Sequence, residues 1–279
     1  MSELFRALGA LLEPPSPALA RVADSLELGP LPTAAEHTEA LVFSIYPYAS
    51  VYLGAEGMIG GEARDRVAGF FRALGAPVSS EPDHITVLLA SYAAIAEQEK
   101  LAHARKALFW EHLASFLPAY AWAMRGLGID FYAGYAQVLT QALRAEVERL
   151  GPPDRLPRHL LETAPLAVSE TTSLPELLSG LLAPARSGMI LVRRDVVRAA
   201  RELGLAARPG ERRWALTAML SQDAPGVLAW LAREAERWAA QHRANEDVVS
   251  AAWGERAERT STVLLAQADL AREGRHVAL

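Results

Sequence analysis

The chain has 279 residues, about two domain lengths at ~150 residues each, and 51% are hydrophobic against 22% charged, so it can bury a core and is not a disordered chain. It has no cysteine, which excludes disulfides, thiolate metal sites and a cysteine nucleophile and gives no sign of an oxidising compartment. With 28 basic and 33 acidic residues the net charge is −5, and the only lysines are Lys100 and Lys106, so nucleic acid is not an expected partner. The opening Met1-Ser2-Glu3-Leu4-Phe5-Arg6 lacks the basic and apolar regions of a signal peptide. The most apolar stretch, 40–55, is broken by Pro47 and Gly54 and falls short of the ~20 residues a bilayer span requires. A cytoplasmic protein without stable membrane insertion is the expectation.

Taken in chain order, apolar residues recur at helical rather than alternating spacing, and Ala and Leu outnumber β-branched residues, so an all-α protein of at least ten helices is predicted. The first helices fall at roughly 2–12, 16–28, 33–46, 62–74, 83–100, 104–125 and 129–150, with Ser2 and Thr33 as N-caps. In the fourth of these, Val67, Phe70, Phe71 and Leu74 repeat at i, i+3, i+4, i+7, and Gly75 followed by Pro77 ends the run. Turn residues then gather at Gly151-Pro152-Pro153, Pro157, Pro165 and Pro175, which predicts a helical domain over 1–160 and a helical extension over 161–279 packed on it. The extension reads as helices at roughly 173–183, 193–203, 211–222, 225–244 and 247–272. Its Trp230 and Trp238, eight apart on one helical face, read as core anchors. Arg193-Arg194 and Arg212-Arg213 read as solvated helix faces because Asp195, Glu202 and Glu211 accompany them. The one strand-like run is Met189-Ile190-Leu191-Val192.

Most enzyme signatures are missing. There is no Walker A sequence, and Gly54, Gly57, Gly60 and Gly61 do not make G-x-G-x-x-G. Neither G-x-S-x-G nor H-E-x-x-H occurs, and the seven His show no zinc-ligand spacing. A carboxylate-bridged di-iron site in a helical bundle is the enzyme alternative, because it uses Glu-x-x-His on two helices. Glu81-Pro82-Asp83-His84 supplies one copy; Glu99 with His103, and Glu111 with His112, have the wrong spacing for the second.

The block Ser80-Glu81-Pro82-Asp83-His84-Ile85 also reads as an acidic helix start, with Ser80 or Asp83 capping and Pro82 in the first turn. Its setting adds a second reading. Tyr48-Ala49-Ser50-Val51-Tyr52-Leu53-Gly54 comes first, then a helix opened by Gly61-Glu62 and ending Phe70-Phe71-Arg72-Ala73-Leu74-Gly75, then Glu81-Pro82-Asp83-His84-Ile85. Downstream stand Phe109-Trp110-Glu111-His112-Leu113, Phe116-Leu117-Pro118 and Phe131-Tyr132. This order, spanning about 40–150, resembles the TorD/DmsD/NarJ family of redox-enzyme maturation chaperones, with the Glu-Pro-Asp-His-Ile block as its specific element.

The resemblance implies a TorD-like helical bundle and a cytoplasmic chaperone rather than an enzyme. No cofactor or metal is expected, since cysteine is absent and the Glu-x-x-His motif has no second copy. The chaperone's partners would be the apo catalytic subunit of a molybdopterin oxidoreductase and that subunit's twin-arginine leader, held back from export or assembly until the cofactor is in. Asp83 and His84 carry over as leader-recognition positions, with Glu81 and Pro82 supporting them. Carboxylates suit an Arg-Arg ligand because charge-assisted bonds to guanidinium are strong, and Tyr46, Tyr48, Tyr52 and Tyr92 would help wall its apolar stretch. Family members often carry an acidic residue in the helix after the Asp-His pair, where this chain reads Val87-Leu88-Leu89-Ala90-Ser91-Tyr92. The residues beyond about 160 have a less familiar pattern.

Overall fold

The computed structural model describes residues 1–169, 172–206 and 210–274. Among them the structure is all-α, with no strand; the only β-type pairing is one antiparallel bridge between Tyr48 and His84. None of the described helices is long and apolar enough to cross a membrane. Two compact units divide the chain: Met1–Leu53 with Met58–Arg158, and Gly54–Gly57 with His159–Leu279.

The first unit contains α1 (Ser2–Ala10), α2 (Pro17–Ser25), α3 (Ala34–Thr38), α4 (Ala49–Leu53), α5 (Gly61–Ala73), α6 (Ile85–Ala96), α7 (Ala102–Leu108), α8 (Leu117–Arg125) and α9 (Asp130–Leu150). Helix α1 lies along α6, and α8 along α9. A Cβ at Gly9 would stand 3.2 Å from the Thr86 carbonyl oxygen, so the missing side chain lets α1 and α6 approach closely. Phe5, Leu8, Leu88, Leu89, Tyr92, Phe109, Tyr132 and Tyr135 fill the core, with Phe5 edge-on to Tyr92 at 4.9 Å. Glu146 of α9 is wholly buried, yet it is hydrogen-bonded by the Tyr92 hydroxyl, by Arg105 Nε at 3.0 Å and by Arg149 Nη2 at 2.7 Å. Those partners meet the condition for burying a charge.

Thr33 caps α3 in a full capping box with Glu36. Ser2 is different: it is the first residue of α1, preceded by Met1, and makes no cap bond. The helices predicted over 33–46 and 104–125 are both interrupted. Hydrogen bonding slips to a π-helical pattern at Glu39–Ser44, where the Ile45 N–H reaches the Ala40 oxygen (2.8 Å), and at Phe109–Leu113, where the Ala114 N–H reaches the Phe109 oxygen (2.7 Å). Pro118 then falls in the first turn of a new helix, α8, where a missing N–H costs nothing. The helix predicted over 83–100 ends at Ala96, because Gln98 is extended, and resumes as a 3₁₀ turn at Glu99–Leu101.

The second unit contains α10 (Arg158–Glu162, its first residue counted with the other unit), α11 (Leu174–Leu181), α12 (Pro184–Ser187), α13 (Arg193–Leu203), α14 (Arg212–Leu220), α15 (Ala224–Arg243) and α16 (Val248–Arg272). Helices α15 and α16 pack along their length and bury Trp230, Trp238 and Trp253, as the spacing of the first two predicts. The strand-like run 189–192 is not a strand. It is an irregular segment whose four side chains are at most 2% exposed, and its backbone is met by side chains: the Val192 N–H by Asp195 (2.9 Å) and the Leu191 oxygen by Arg212. Arg212 is therefore a structural donor rather than a solvated charge, while Arg213 is exposed and donates to the Pro175 oxygen at 3.0 Å. Gly188 opens the run at φ +73, and His242 Nε2 lies 2.9 Å from its carbonyl oxygen. Buried Arg256 reaches the carbonyl oxygens of Ala185, Leu160 and Thr163, the last two at the end of α10, where the helix dipole favours a cation.

Candidate functional site

The site is built where the chain before α4 meets the chain before α6. Extended backbone at Tyr48 pairs antiparallel with His84, the Ala49 N–H donates to the Asp83 oxygen (2.9 Å), and the Ile85 N–H donates to the Pro47 oxygen (2.8 Å). Two segments more than thirty residues apart are thus fixed by backbone bonds, and four of the predicted residues fall on the seam: Tyr48, Pro82, Asp83 and His84.

Asp83 is 1% exposed. Its Oδ2 accepts the Ser50 N–H at 3.2 Å, so the side chain caps α4, and the expectation that it caps the following helix is corrected. That cap is His84, whose Nδ1 accepts the Thr86 N–H at 3.3 Å, while Ser80 lies outside the helix. A ring nitrogen that accepts must be unprotonated, which puts the proton of the neutral ring on Nε2. Burial holds the His84 pKa below its ordinary value despite nearby Glu13, Glu81 and Asp83.

Glu81 is exposed and accepts the Tyr48 hydroxyl at 2.9 Å through Oε1. The Tyr48 ring stands edge-on to His84 at 4.9 Å, and burial together with the Glu81 carboxylate pushes its hydroxyl up to about 12. It therefore stays protonated and keeps donating to Glu81. Pro82 is buried and fixes the turn between the exposed and the buried carboxylate. Arg64 of α5 donates to the Ser80 oxygen at 2.9 Å and pins the loop from its other side.

Tyr52 and Tyr92 are not at this surface. Tyr52 is 1% exposed, stacked on Phe116 at 5.4 Å with its hydroxyl on the Tyr46 oxygen, and so supports the seam from below. Tyr92 is fully buried and bonds Glu146, because it shares the core-facing stripe of α6 with Ile85, Leu88 and Leu89. Exposed apolar side chains close in sequence to the seam include Val42 (50%) and Phe43 (49%) ahead of Pro47, Met58 (65%) and Ile59 (53%) just before Gly60, and Val78, two residues before Ser80. Gly60 joins the site through its N–H, which donates to Ser50 Oγ at 3.0 Å.

Sequence reasoning missed Ser50, Gly60, Arg64 and Glu13. Glu13 carries an exposed carboxylate near enough to act on both His84 and His37. The Ser50 inside the Tyr48 run was the one available signal. The two Glu-His motifs needed for a di-iron site do not come together: His84 is committed to Thr86, Glu111 accepts the Arg158 N–H at 2.8 Å, and His112 is buried with Phe70 edge-on at 5.7 Å. Among the described residues no three His, Asp or Glu gather as a metal-holding group. What the seam offers is an exposed carboxylate stiffened by a tyrosine, a neutral imidazole donor, and apolar side chains beside them, an arrangement that accepts a cation next to an apolar chain.

Residues 11–121, less than half of the chain, match the family model described as the nitrate reductase delta subunit, a family of molybdoenzyme maturation chaperones. The match contains the whole seam and all four missed residues. No curated protein matches the chain.

Proposed function

We propose that the chain is a maturation chaperone for the catalytic subunit of a molybdenum oxidoreductase and that its first unit binds the client's twin-arginine leader at the seam. Glu81 takes a leader guanidinium. Asp83 holds the seam closed rather than touching the ligand, His84 donates from Nε2, and Met58, Ile59 and Val78 receive the apolar stretch. The observation that carries this reading is the division of labour between the two carboxylates, one buried on a backbone N–H and the other exposed and held by Tyr48. The family match over the same residues supports it.

No catalytic role is assigned to the seam. The second unit, with its core built by α15 and α16, stabilises the protein or extends the client surface. The reading is tested by titrating the protein with a synthetic leader containing Arg-Arg and an apolar stretch, and with its Lys-Lys counterpart. Micromolar binding of the first and at least roughly tenfold weaker binding of the second are expected, since a planar guanidinium engages a carboxylate through two bonds where an ammonium cannot. Equal binding of both, or of neither, would remove leader recognition from the account.

A further inference from the structure

We propose that Ser50 is a positioning residue that fixes the distance between the acidic block and the exposed Met58-Ile59 pair, so that the site selects ligands by the spacing between their basic residues and their apolar stretch. The inference rests on the leader-binding reading and goes beyond it by naming what sets specificity.

Ser50 is fully buried and is bonded in both directions. Its N–H donates to Asp83 Oδ2 at 3.2 Å, and its Oγ accepts the Gly60 N–H at 3.0 Å. One side chain and its own amide thus join the acidic block to the segment that carries the apolar pair. The first turn of α5 is also tied to the acidic block, by Arg64 donating to the Ser80 oxygen at 2.9 Å, and ahead of that turn the Gly60 backbone is met by the Ser50 hydroxyl. Gly60 and Gly61 have φ of +94 and +66, and a Cβ at either would meet nothing within 4 Å, so side-chain packing does not set their place. Met58 and Ile59 are 65% and 53% exposed, so they do not anchor the segment in a core either. Helix α5 begins at Gly61 with Gly60 as its N-cap residue, whose side chain is absent and makes no cap bond. The Ser50 hydroxyl holds the backbone just after the apolar pair, and together with the Arg64–Ser80 bond it sets the distance of that pair from Glu81.

A fixed distance is a ruler. A ligand whose cationic and apolar parts are separated by the matching length engages both without paying to order the segment, and one with a longer separation must bulge or give up one contact.

The test is a series of synthetic leaders with none, two or four Ser residues inserted between the Arg-Arg pair and the apolar stretch, titrated against wild type, Ser50→Ala and Ser50→Thr, with circular dichroism confirming the fold of each. Wild type and Ser50→Thr, which keeps the oxygen, are expected to lose roughly tenfold in affinity on the two-residue insertion. Ser50→Ala is expected to bind the parent leader several-fold more weakly and to lose less than about threefold on insertion. Should Ser50→Ala not fold, the surface double variant Met58→Ser/Ile59→Ser gives the same readout, since without the apolar end insertion should cost nothing. Spacing discrimination unchanged in Ser50→Ala or in the double variant, or absent in wild type, overturns the inference while leaving leader binding intact. A wild type that binds no leader of any spacing overturns both.

Discussion

Asp83→Ala removes the acceptor from a buried donor, because Asp83 is 1% exposed and the Ser50 amide it receives is wholly buried. A charge-assisted bond contributes about 1.5–3 kcal/mol, and an orphaned buried N–H costs about 1–3 kcal/mol, so the loss is about 2–3 kcal/mol. The Asp83 carbonyl still accepts the Ala49 N–H, which keeps the seam from separating completely. For a chain of this size each kcal/mol lowers the melting temperature by about 2–4 °C, so Asp83→Ala should melt about 4–12 °C below wild type. Asp83→Asn keeps an acceptor of the same shape and loses only the charge, about 1 kcal/mol and about 2–4 °C. Thermal unfolding followed by far-ultraviolet circular dichroism checks both, and leader affinity measured well below the transition should change less than about threefold in Asp83→Asn. If Asp83→Ala melts within a degree of wild type while leader binding vanishes, the carboxylate touches the ligand directly and capping the Ser50 N–H is not its role.

Tyr48→Phe removes the hydroxyl that holds Glu81 and should weaken leader binding several-fold with a stability change under about 1 kcal/mol, read by calorimetry beside thermal melts. Burial lowers His112 in the first unit and His242 in the second to about 4, against an ordinary 6.5, so the unfolded chain takes up protons first as the medium acidifies. Stability then falls between pH 6.5 and 4 and is restored above 6.5; from pH 7 to 5 each group should remove about 2 kcal/mol, measurable as a drop in urea midpoint. Gly188→Ala asks for a Cβ 2.4 Å from the Ala257 nitrogen and 2.6 Å from the Trp253 oxygen at φ +73, so the backbone must move, and a loss above about 2 kcal/mol is expected in chemical denaturation. Glu146→Gln leaves Arg105 and Arg149 without their shared carboxylate and should cost about 3 kcal/mol in the same measurement.

The legible part of the fold was the part written in repeats. Val67, Phe70, Phe71 and Leu74 mark α5, and Trp230 with Trp238 mark the buried face of α15, because helical period alone decides which side faces inward. The same period puts Tyr92 on the face of α6 that carries Ile85, Leu88 and Leu89, and its burial there takes it out of any binding wall. The π-helical slips at Glu39–Ser44 and Phe109–Leu113 left no mark in apolar spacing, since one extra residue per turn is decided by tertiary packing. The Glu-Pro-Asp-His block was visible as a group, but the roles within it were not. Which carboxylate is buried depends on Ser50, thirty-three residues earlier in the chain, and His84 caps its own helix through a ring nitrogen that capping preferences do not rank among N-cap residues.

The proposed contact of a leader guanidinium with Glu81 is measured by isothermal titration of an Arg-Arg leader against wild type and Glu81→Gln. Glu81 is exposed, so the substitution should leave the melting temperature within about 1–2 °C of wild type. The lost charge-assisted bond, about 1.5–3 kcal/mol, should weaken binding by roughly 10- to 150-fold. Wild-type affinity in a folded Glu81→Gln protein would contradict the account.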